Sequence, residues 1–326
     1  MLISRAPLRI SLGGGGTDLA SYYEKFGGFF ISAAIDKYVY ITVHQSWNDK
    51  YILKYSHFES AATIEEINHP IFKAVLEKMR FKPNIELVSI ADIPAGTGLG
   101  SSGSFTTALL KALHAHRRNL LLSPHELAEQ ACEIEIDILK EPIGKQDQYI
   151  ASYGGITNFW IEKDGRVKAR PARIPQRTMY ALEDNLAMFF TGYSRSASEL
   201  LREQNDKSKV SDSEMIENLH FVKDIGYRIK DALEQDKPDV FGELMHEHWL
   251  AKKKRSKNMS NLRIDELYEG ARKHGAIGGK LIGAGGGGFL LFYTENKRQL
   301  RDYMTGEGLT ELRFNFDFEG AKIMVW

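Results

Sequence analysis

The chain of 326 residues has one cysteine, Cys132, so no disulfide can close within it and a reducing compartment suits it. It also lacks a net charge, with 43 basic residues against 43 acidic ones. That balance excludes bulk attraction to nucleic acid or to an anionic membrane as its organising force. No stretch approaches the ~20 consecutive apolar residues of a membrane span. Arg5 and Arg9 interrupt the first segment before the apolar core of a secretory leader can develop. The expectation is a cytoplasmic globular protein, monomer or homodimer, whose partner is a small molecule rather than nucleic acid or membrane. Hydrophobic residues at 43% and charged residues at 26% are ordinary for such a chain, and its length allows two packed domains.

One residue type is concentrated. Much of the glycine, 29 residues in all, falls into the clusters Gly13–Gly16, Gly96–Gly103 and Gly283–Gly288. Such clusters weaken a fold unless backbone must bend sharply or approach a ligand closely. Three together suggest phosphate or sugar contacts, although any one alone reads as a loop.

Leu8, Ile10 and Leu12 alternate with Arg9 and Ser11, which predicts a strand with one polar face. Further strands are expected at residues 29–35, 38–43, 51–55, 85–90, 156–161, 186–190, 278–282 and 289–293. Helices are expected at 70–78, around 105–113, and at 197–204, 212–234, 240–253 and 264–273. Ser123-Pro124-His125-Glu126 reads as a capping box opening a helix that runs to about Lys140. The polar stretch 163–177, with Gly165, Pro171 and Pro175, predicts a junction between a domain of residues 1–170 and one of 171–326. The element order suggests an α/β first half and an α+β second half.

Residues Pro94-Ala95-Gly96-Thr97-Gly98-Leu99-Gly100-Ser101-Ser102-Gly103 follow a predicted strand and open a predicted helix. A helix N-terminus offers unpaired N–H groups and the positive end of the dipole, both suited to phosphate. A P-loop is excluded because no lysine occurs there. Gly98-x-Gly100-x-x-Gly103 matches a dinucleotide fingerprint, but the next element is another helix rather than a strand ending in an acid. Gly283-x-Gly285-x-x-Gly288 fails more clearly, since a strand follows it directly.

On the helix after Ser123, Ala128, Cys132, Glu135 and Leu139 share a face, so Glu135 points to an apolar side while Glu133 and Asp137 do not. A carboxylate so placed needs a metal, a cation or hydrogen-bond donors. Asp147 follows in Gly144-Lys145-Gln146-Asp147-Gln148. Phosphoryl transfer to an alcohol asks for a carboxylate near the attacking hydroxyl and a Mg²⁺ bridging the phosphates. Glu135 and Asp147 suit those tasks, while Asp147 alone equally suits a turn.

Together these segments resemble the GHMP kinases, the superfamily of galactokinase, homoserine kinase, mevalonate kinase and phosphomevalonate kinase. Pro7-Leu8-Arg9-Ile10-Ser11-Leu12 through Asp18 is similar to the first motif, Pro94 to Gly103 to the second, and Lys280 to Gly288 to the third. The resemblance implies an α+β, two-domain protein: an N-terminal domain like ribosomal protein S5 domain 2, then a ferredoxin-like α+β domain. It implies ATP and Mg²⁺ as cofactors. ATP contacts would come from Pro94, Gly96, Gly98, Leu99, Gly100, Ser101, Ser102 and Gly103, with Mg²⁺ on Ser102 and Glu135. Asp147 would be the catalytic carboxylate, assisted by Arg9. Gly15, Gly16, Thr17, Asp18, Gly285, Gly286 and Gly287 would border the substrate. Galactokinases carry Glu-His where Gly15-Gly16 stand here, which argues against galactose.

Longer stretches resemble the bacterial heptose kinases: Arg5 to Ser11 with Gly-Gly-Gly-Thr-Asp, Glu141 to Gln148, and His246-Glu247-His248-Trp249 followed by lysines. That branch implies transfer to the anomeric O1 of D-glycero-D-manno-heptose 7-phosphate, giving a 1,7-bisphosphate for nucleotide-heptose synthesis. A fucokinase-like sugar 1-kinase and a non-catalytic sensor are the alternatives. A phosphorylated substrate needs a cation, and Lys253 within the run Lys252-Lys253-Lys254-Arg255, Arg195 and Lys145 are the candidates, although such a run also suits a solvated helix end. The i, i+2 spacing of His246 and His248 argues against a shared metal, and Cys132 reads as inert core.

Overall fold

The computed structural model describes residues 1–192, 197–210 and 212–326. The alternating first segment forms β1 (Leu2–Gly13), which α1 (Ala20–Phe26) connects to β2 (Gly28–Gln45). β2 is one strand where the sequence pattern predicts two. The polar pair Asp36–Lys37 that breaks the pattern is a bulge, since Pro7 faces Tyr38 while the next residue, Leu8, faces Ile35. The bulge forks the sheet. Beyond it β2 pairs with β5 (Ile85–Ala91), and before it with β6 (Ile156–Ile161). β3 (Tyr51–Lys54), β4 (Phe58–Ala61) and β7 (Val167–Pro171) extend the two arms, so that with β12 (Lys322–Val325) the sheet has eight strands.

Helices α2 (Pro70–Lys78), α3 (Ser101–His116), α4 (Pro124–Cys132) and α5 (Gln146–Tyr153) bring apolar faces to this sheet. Leu109, Leu113, Phe72 and Ile134 pack there with Ile41, Val43 and Leu87. The capping box is present, with Ser123 accepting from the Glu126 N–H and Glu126 accepting from that of Ser123. The helix does not continue regularly to residue 140. It widens into a π-helical turn, Glu133–Ile138, of the kind often found at functional sites.

After α6 (Gln176–Asn185) comes a second sheet of β8 (Leu186–Phe190), β9 (Ala276–Leu281), β10 (Phe289–Thr294) and β11 (Thr310–Glu311), all antiparallel in the order β11-β8-β10-β9. Helices α7 (Ala197–Lys209), α8 (Ser213–Glu234), α9 (Pro238–Lys253) and α10 (Leu262–Lys273) lie between β8 and β9, and α11 (Lys297–Gly306) between β10 and β11. Numbered within the sheet the order is 4-1-3-2, the ferredoxin-like arrangement.

The two sheets share a core. Ile225, Ile229 and Leu233 of α8 pack on Ile10, Leu12 and Ile31 of the first sheet and on Met188 and Leu291 of the second. The chain end also crosses back: Phe316 bridges Ile35, Tyr38 donates to Asp317 at 2.9 Å, and β12 pairs with β1. A boundary at 170/171 therefore falls within the last residues of β7, and the chain beyond β11 returns to the first sheet as β12. Among the described residues no helix is long and apolar enough to cross a membrane.

Candidate active site

The three glycine clusters meet in one place, and their packing explains their composition. Gly98 and Gly283 have φ of +88° and +84°. A Cβ on Gly98 would stand 2.6 Å from the Ile282 carbonyl oxygen, and one on Gly283 would stand 2.5 Å from Gly98 Cα. Backbone lies directly on backbone, which only glycine permits. Gly103 likewise lets the first turn of α3 approach α5, where a Cβ would fall 2.7 Å from that of Asp147. A cavity of about 700 Å³ opens at this junction, walled by both sheets' units.

Arg9 ties the walls together. Its Nε donates to Asp147 Oδ1 at 2.7 Å and its Nη1 to the Gly98 carbonyl at 2.6 Å, while its backbone N–H donates to Leu99 O. Asp147 sits in the first turn of α5, where a carboxylate complements the helix dipole. Its Oδ2 receives no hydrogen bond among the described residues and remains available to a ligand. Asp18 closes the next position, with Oδ1 accepting from the Gly16 N–H (2.9 Å) and Oδ2 from the Gln146 N–H (3.1 Å). Burial raises its pKa against these bonds, and the charge of Asp147 adds to the rise.

Across the cavity α3 begins at Ser101 with Gly100 as an N-cap that supplies no side chain. Its first N–H groups therefore face the cavity uncapped. The Ser101 Oγ is buried without a partner. Ser102 Oγ is hydrogen-bonded to Glu135, which the π turn places on the same wall, and Gln148 Nε2 donates to the other Glu135 oxygen at 2.7 Å. Glu135 is wholly buried, and burial lifts its carboxyl to about 7 in spite of the Ser102 and Gln148 bonds. No cluster of three or more metal-binding side chains exists among the described residues. A hard cation here would take one hydroxyl and one carboxylate from the protein and its remaining oxygens from phosphate and water, a donor set that fits Mg²⁺.

The floor on the other side is cationic. Arg255, Lys252 and Lys280 are 5%, 8% and 2% exposed and all line the cavity, and none of them pairs with a carboxylate among the described residues. Lys252 donates to Leu281 O and Gly283 O, Lys280 donates to Leu12 O, and Lys280 Nζ lies in hydrogen-bond contact with His248 Nδ1. Burial, then neighbouring cations, lowers Lys252 to about 7 and Lys280 and His248 well below their ordinary values. Arg255, lowered to about 10 by burial, is partly offset by Asp18.

Known proteins bear on this geometry. Residues 66–155 match the GHMP kinases N terminal domain and 229–308 the GHMP kinases C terminal domain. The chain is similar to a D-glycero-alpha-D-manno-heptose 7-phosphate kinase of Campylobacter jejuni, 30% identical over 98% of this chain and 97% of that one. It is a GHMP kinase. A mevalonate kinase of Pyrococcus abyssi is 26% identical over 84% of this chain and 79% of its own. The fold also matches, at TM-score 0.82 and 24% identity over 100% of this chain and 99% of the other, a structure described as a D-glycero-D-manno-heptose 1-phosphate kinase from Bacteriodes thetaiotaomicron. As a GHMP kinase the protein is a phosphotransferase with an alcohol acceptor, and the family uses ATP.

In this GHMP kinase, Arg9, Asp147, Ser102 and Glu135 line one cavity with Gly96, Gly98, Gly100, Ser101 and Gly103, and with Gly15, Gly16, Asp18, Gly285 and Gly287. Other predicted residues stand elsewhere. Thr17 turns inward, where its hydroxyl bonds Gly14 O and the Phe29 backbone. Leu99 is core, Pro94 O accepts from Thr97, and Gly286 N–H bonds Met259 O. Lys253 does not face the cavity; it pairs with Asp265 and lies over Trp249. Lys145 is likewise held away, by Glu129 and the Gly165 carbonyl. Arg195 lies outside the described residues. The cations on the cavity wall, Lys252 and Arg255, are neighbours of the one predicted. His248, Lys252 and Arg255 recur at i, i+4 and i+7, the spacing of a single helix face.

Proposed function

We propose that this kinase transfers the γ-phosphoryl group of ATP to the anomeric O1 of D-glycero-D-manno-heptose 7-phosphate, giving the 1,7-bisphosphate and ADP. The observation that carries the reading is the Arg9–Asp147 pair, set between the uncapped start of α3 and a recess with three buried basic side chains, Arg255, Lys252 and Lys280, none paired with a carboxylate among the described residues. A phosphate chain fits the glycine loop and the first N–H groups of α3. A second, separate anion fits the cationic floor. The relative named as a heptose 7-phosphate kinase, matched over nearly its whole length, supports the choice of sugar.

In this reading Asp147 Oδ2 accepts the proton of the sugar hydroxyl as its oxygen bonds to the γ-phosphorus and the bond to the leaving ADP oxygen breaks. Arg9 fixes the carboxylate through Oδ1 and leaves Oδ2 to the substrate. An anomeric hydroxyl is more acidic than an ordinary alcohol, so one positioned carboxylate suffices. Ser102 and Glu135 would hold Mg²⁺, which supplies charge neutralisation between the nucleotide and the incoming oxygen. The helix start at Ser101–Gly103 steadies charge that develops on the transferring group.

The test is ADP release with Mg-ATP against the heptose 7-phosphate, unphosphorylated heptose, fucose, galactose and mevalonate. Selective turnover of the 7-phosphate supports the reading. Preference for fucose or mevalonate would replace the substrate, and binding without any turnover would favour a sensor.

A further inference from the structure

Arg255, like Ser101, is a cavity side chain whose hydrogen bonding is incomplete among the described residues. Its Nε donates to Asn218 Oδ1 at 3.0 Å and its Nη1 to Gly15 O at 3.1 Å and Gln204 Oε1 at 3.4 Å. These three neutral acceptors come from α8, the first glycine loop and α7, so the guanidinium is gripped from three sides. Its Nη2 is buried and has no hydrogen-bond partner among the described residues. A buried guanidinium with a free N–H group and no counter-ion is costly unless an anion completes it. Gly16 makes room for the guanidinium itself, since a Cβ there would stand 2.6 Å from Nη1.

Position separates this group from the nucleotide loop. Arg9 and Asp147 touch the loop through Gly98, Gly100 and Gly103. Asp18 comes next, joined to Gln146 beside Asp147 on one side and to Gly16 on the other. Arg255 lies beyond it, on Gly15 and against Gly16. Lys252 stands in the last turn of α9, three residues before Arg255 in the turn that follows; its amine donates to Leu281 O and Gly283 O and, when protonated, keeps a third N–H for a ligand.

We propose that the free Nη2 of Arg255, with Lys252 as second cation, binds a phosphate monoester that the substrate already carries, remote from the hydroxyl that accepts the new phosphoryl group. The inference rests on the sugar-phosphate reading above and names the residues that would enforce it. A guanidinium held in a fixed plane suits a phosphate dianion better than a mobile lysine does. The γ-phosphate of ATP offers the same chemistry from another source, so the test must separate the two.

The experiment is steady-state kinetics on the full chain, comparing wild type with Arg255→Met and Arg255→Lys on D-glycero-D-manno-heptose 7-phosphate and on the unphosphorylated heptose. The expected result is that Arg255→Met lowers the preference for the phosphorylated sugar, the ratio of the two kcat/KM values, by about 100-fold. Arg255→Lys should restore part of it. A rise in the ATP KM with the preference retained would assign Arg255 to the nucleotide and overturn the proposal, as would equal losses on both sugars. Since Arg255 also braces Gly15, a second measurement uses the wild type alone. Inorganic phosphite should accelerate turnover of the unphosphorylated heptose by filling the recess, and no acceleration would count against the proposal. A wild type without preference for the 7-phosphate overturns the sugar-phosphate reading and this inference together. A preference that survives in Arg255→Met overturns this inference only.

Discussion

Replacing Gly283 by alanine tests how the third glycine cluster acts. An alanine there must hold φ near +84°, which costs about 1 kcal/mol. Its Cβ would stand 2.5 Å from Gly98 Cα and 2.7 Å from Gly98 O, whereas ordinary contact begins at 3.4 Å. The two backbones must part by about 0.9 Å, and overpacking of that kind costs about 1–3 kcal/mol. The total is roughly 2–4 kcal/mol, or a melting temperature lower by roughly 5 °C. The effect on rate follows from a chain of contacts. Gly98 O accepts from Arg9 Nη1, and Arg9 orients Asp147. A displacement near 1 Å passed to Arg9 and Asp147, the groups proposed as catalytic, should cost about 100-fold. Gly308→Ala is the control, since Gly308 has φ +82° and nothing within 4 Å of the added carbon. It carries the backbone strain without the collision. Thermal melts and ADP-release kinetics should show both variants destabilised and only Gly283→Ala slowed. Equal kcat for Gly283→Ala and wild type would refute the claim that this cluster positions the catalytic pair.

Asp147→Asn should lower kcat about 1,000-fold while nucleotide binding persists; ADP release near the wild-type rate would remove Asp147 from the chemistry. Glu135→Gln should raise the Mg²⁺ concentration for half-maximal rate roughly tenfold or more, and an unchanged requirement would contradict the Mg²⁺ assignment. The same variant reports on pH. Burial raises the Glu135 carboxyl in the folded state to about 7 from 4.5, so its stabilising proton is fully present below about pH 4.5 and lost as pH rises through about 7. Without metal, denaturant melts should show wild type losing up to roughly 3 kcal/mol relative to Glu135→Gln between those limits. A difference that stays constant from pH 5 to pH 8 would be contrary to the buried, protonated state. Lys253→Ala should leave the KM of the sugar phosphate within about twofold, because Lys253 is engaged with Asp265 outside the cavity; a large rise would restore it as a ligand.

Much of the candidate site's placement in one cavity was legible because its signals are local. The glycine loop before α3, the helical period that turned Glu135 inward and the acidic residue after Gly144 each lie within a few residues of their cause. The cations were less legible. Four basic residues in a row, Lys252 to Arg255, hide which face is buried, and only the period counted from His248 separates Lys252 and Arg255 from Lys253. Non-local pairing left still less trace. β12 has no pattern beyond a short apolar run, and its place beside β1 depends on Asp317, Tyr38 and the bridge at Ile35. Asp36–Lys37 looked like a break between two strands because a bulge and a turn share polar residues. The backbone contact between Gly98 and Gly283 joins positions far apart in the chain, so the composition of each cluster suggested a ligand before it suggested the other cluster.

The product formed from Mg-ATP and D-glycero-D-manno-heptose 7-phosphate decides the proposed reaction. Phosphorus and carbon NMR should show one new phosphate per ADP, attached at C1 of the sugar, with the 7-phosphate intact. A new phosphate at any other carbon, or ADP formed without a phosphorylated sugar, would rule out transfer to O1.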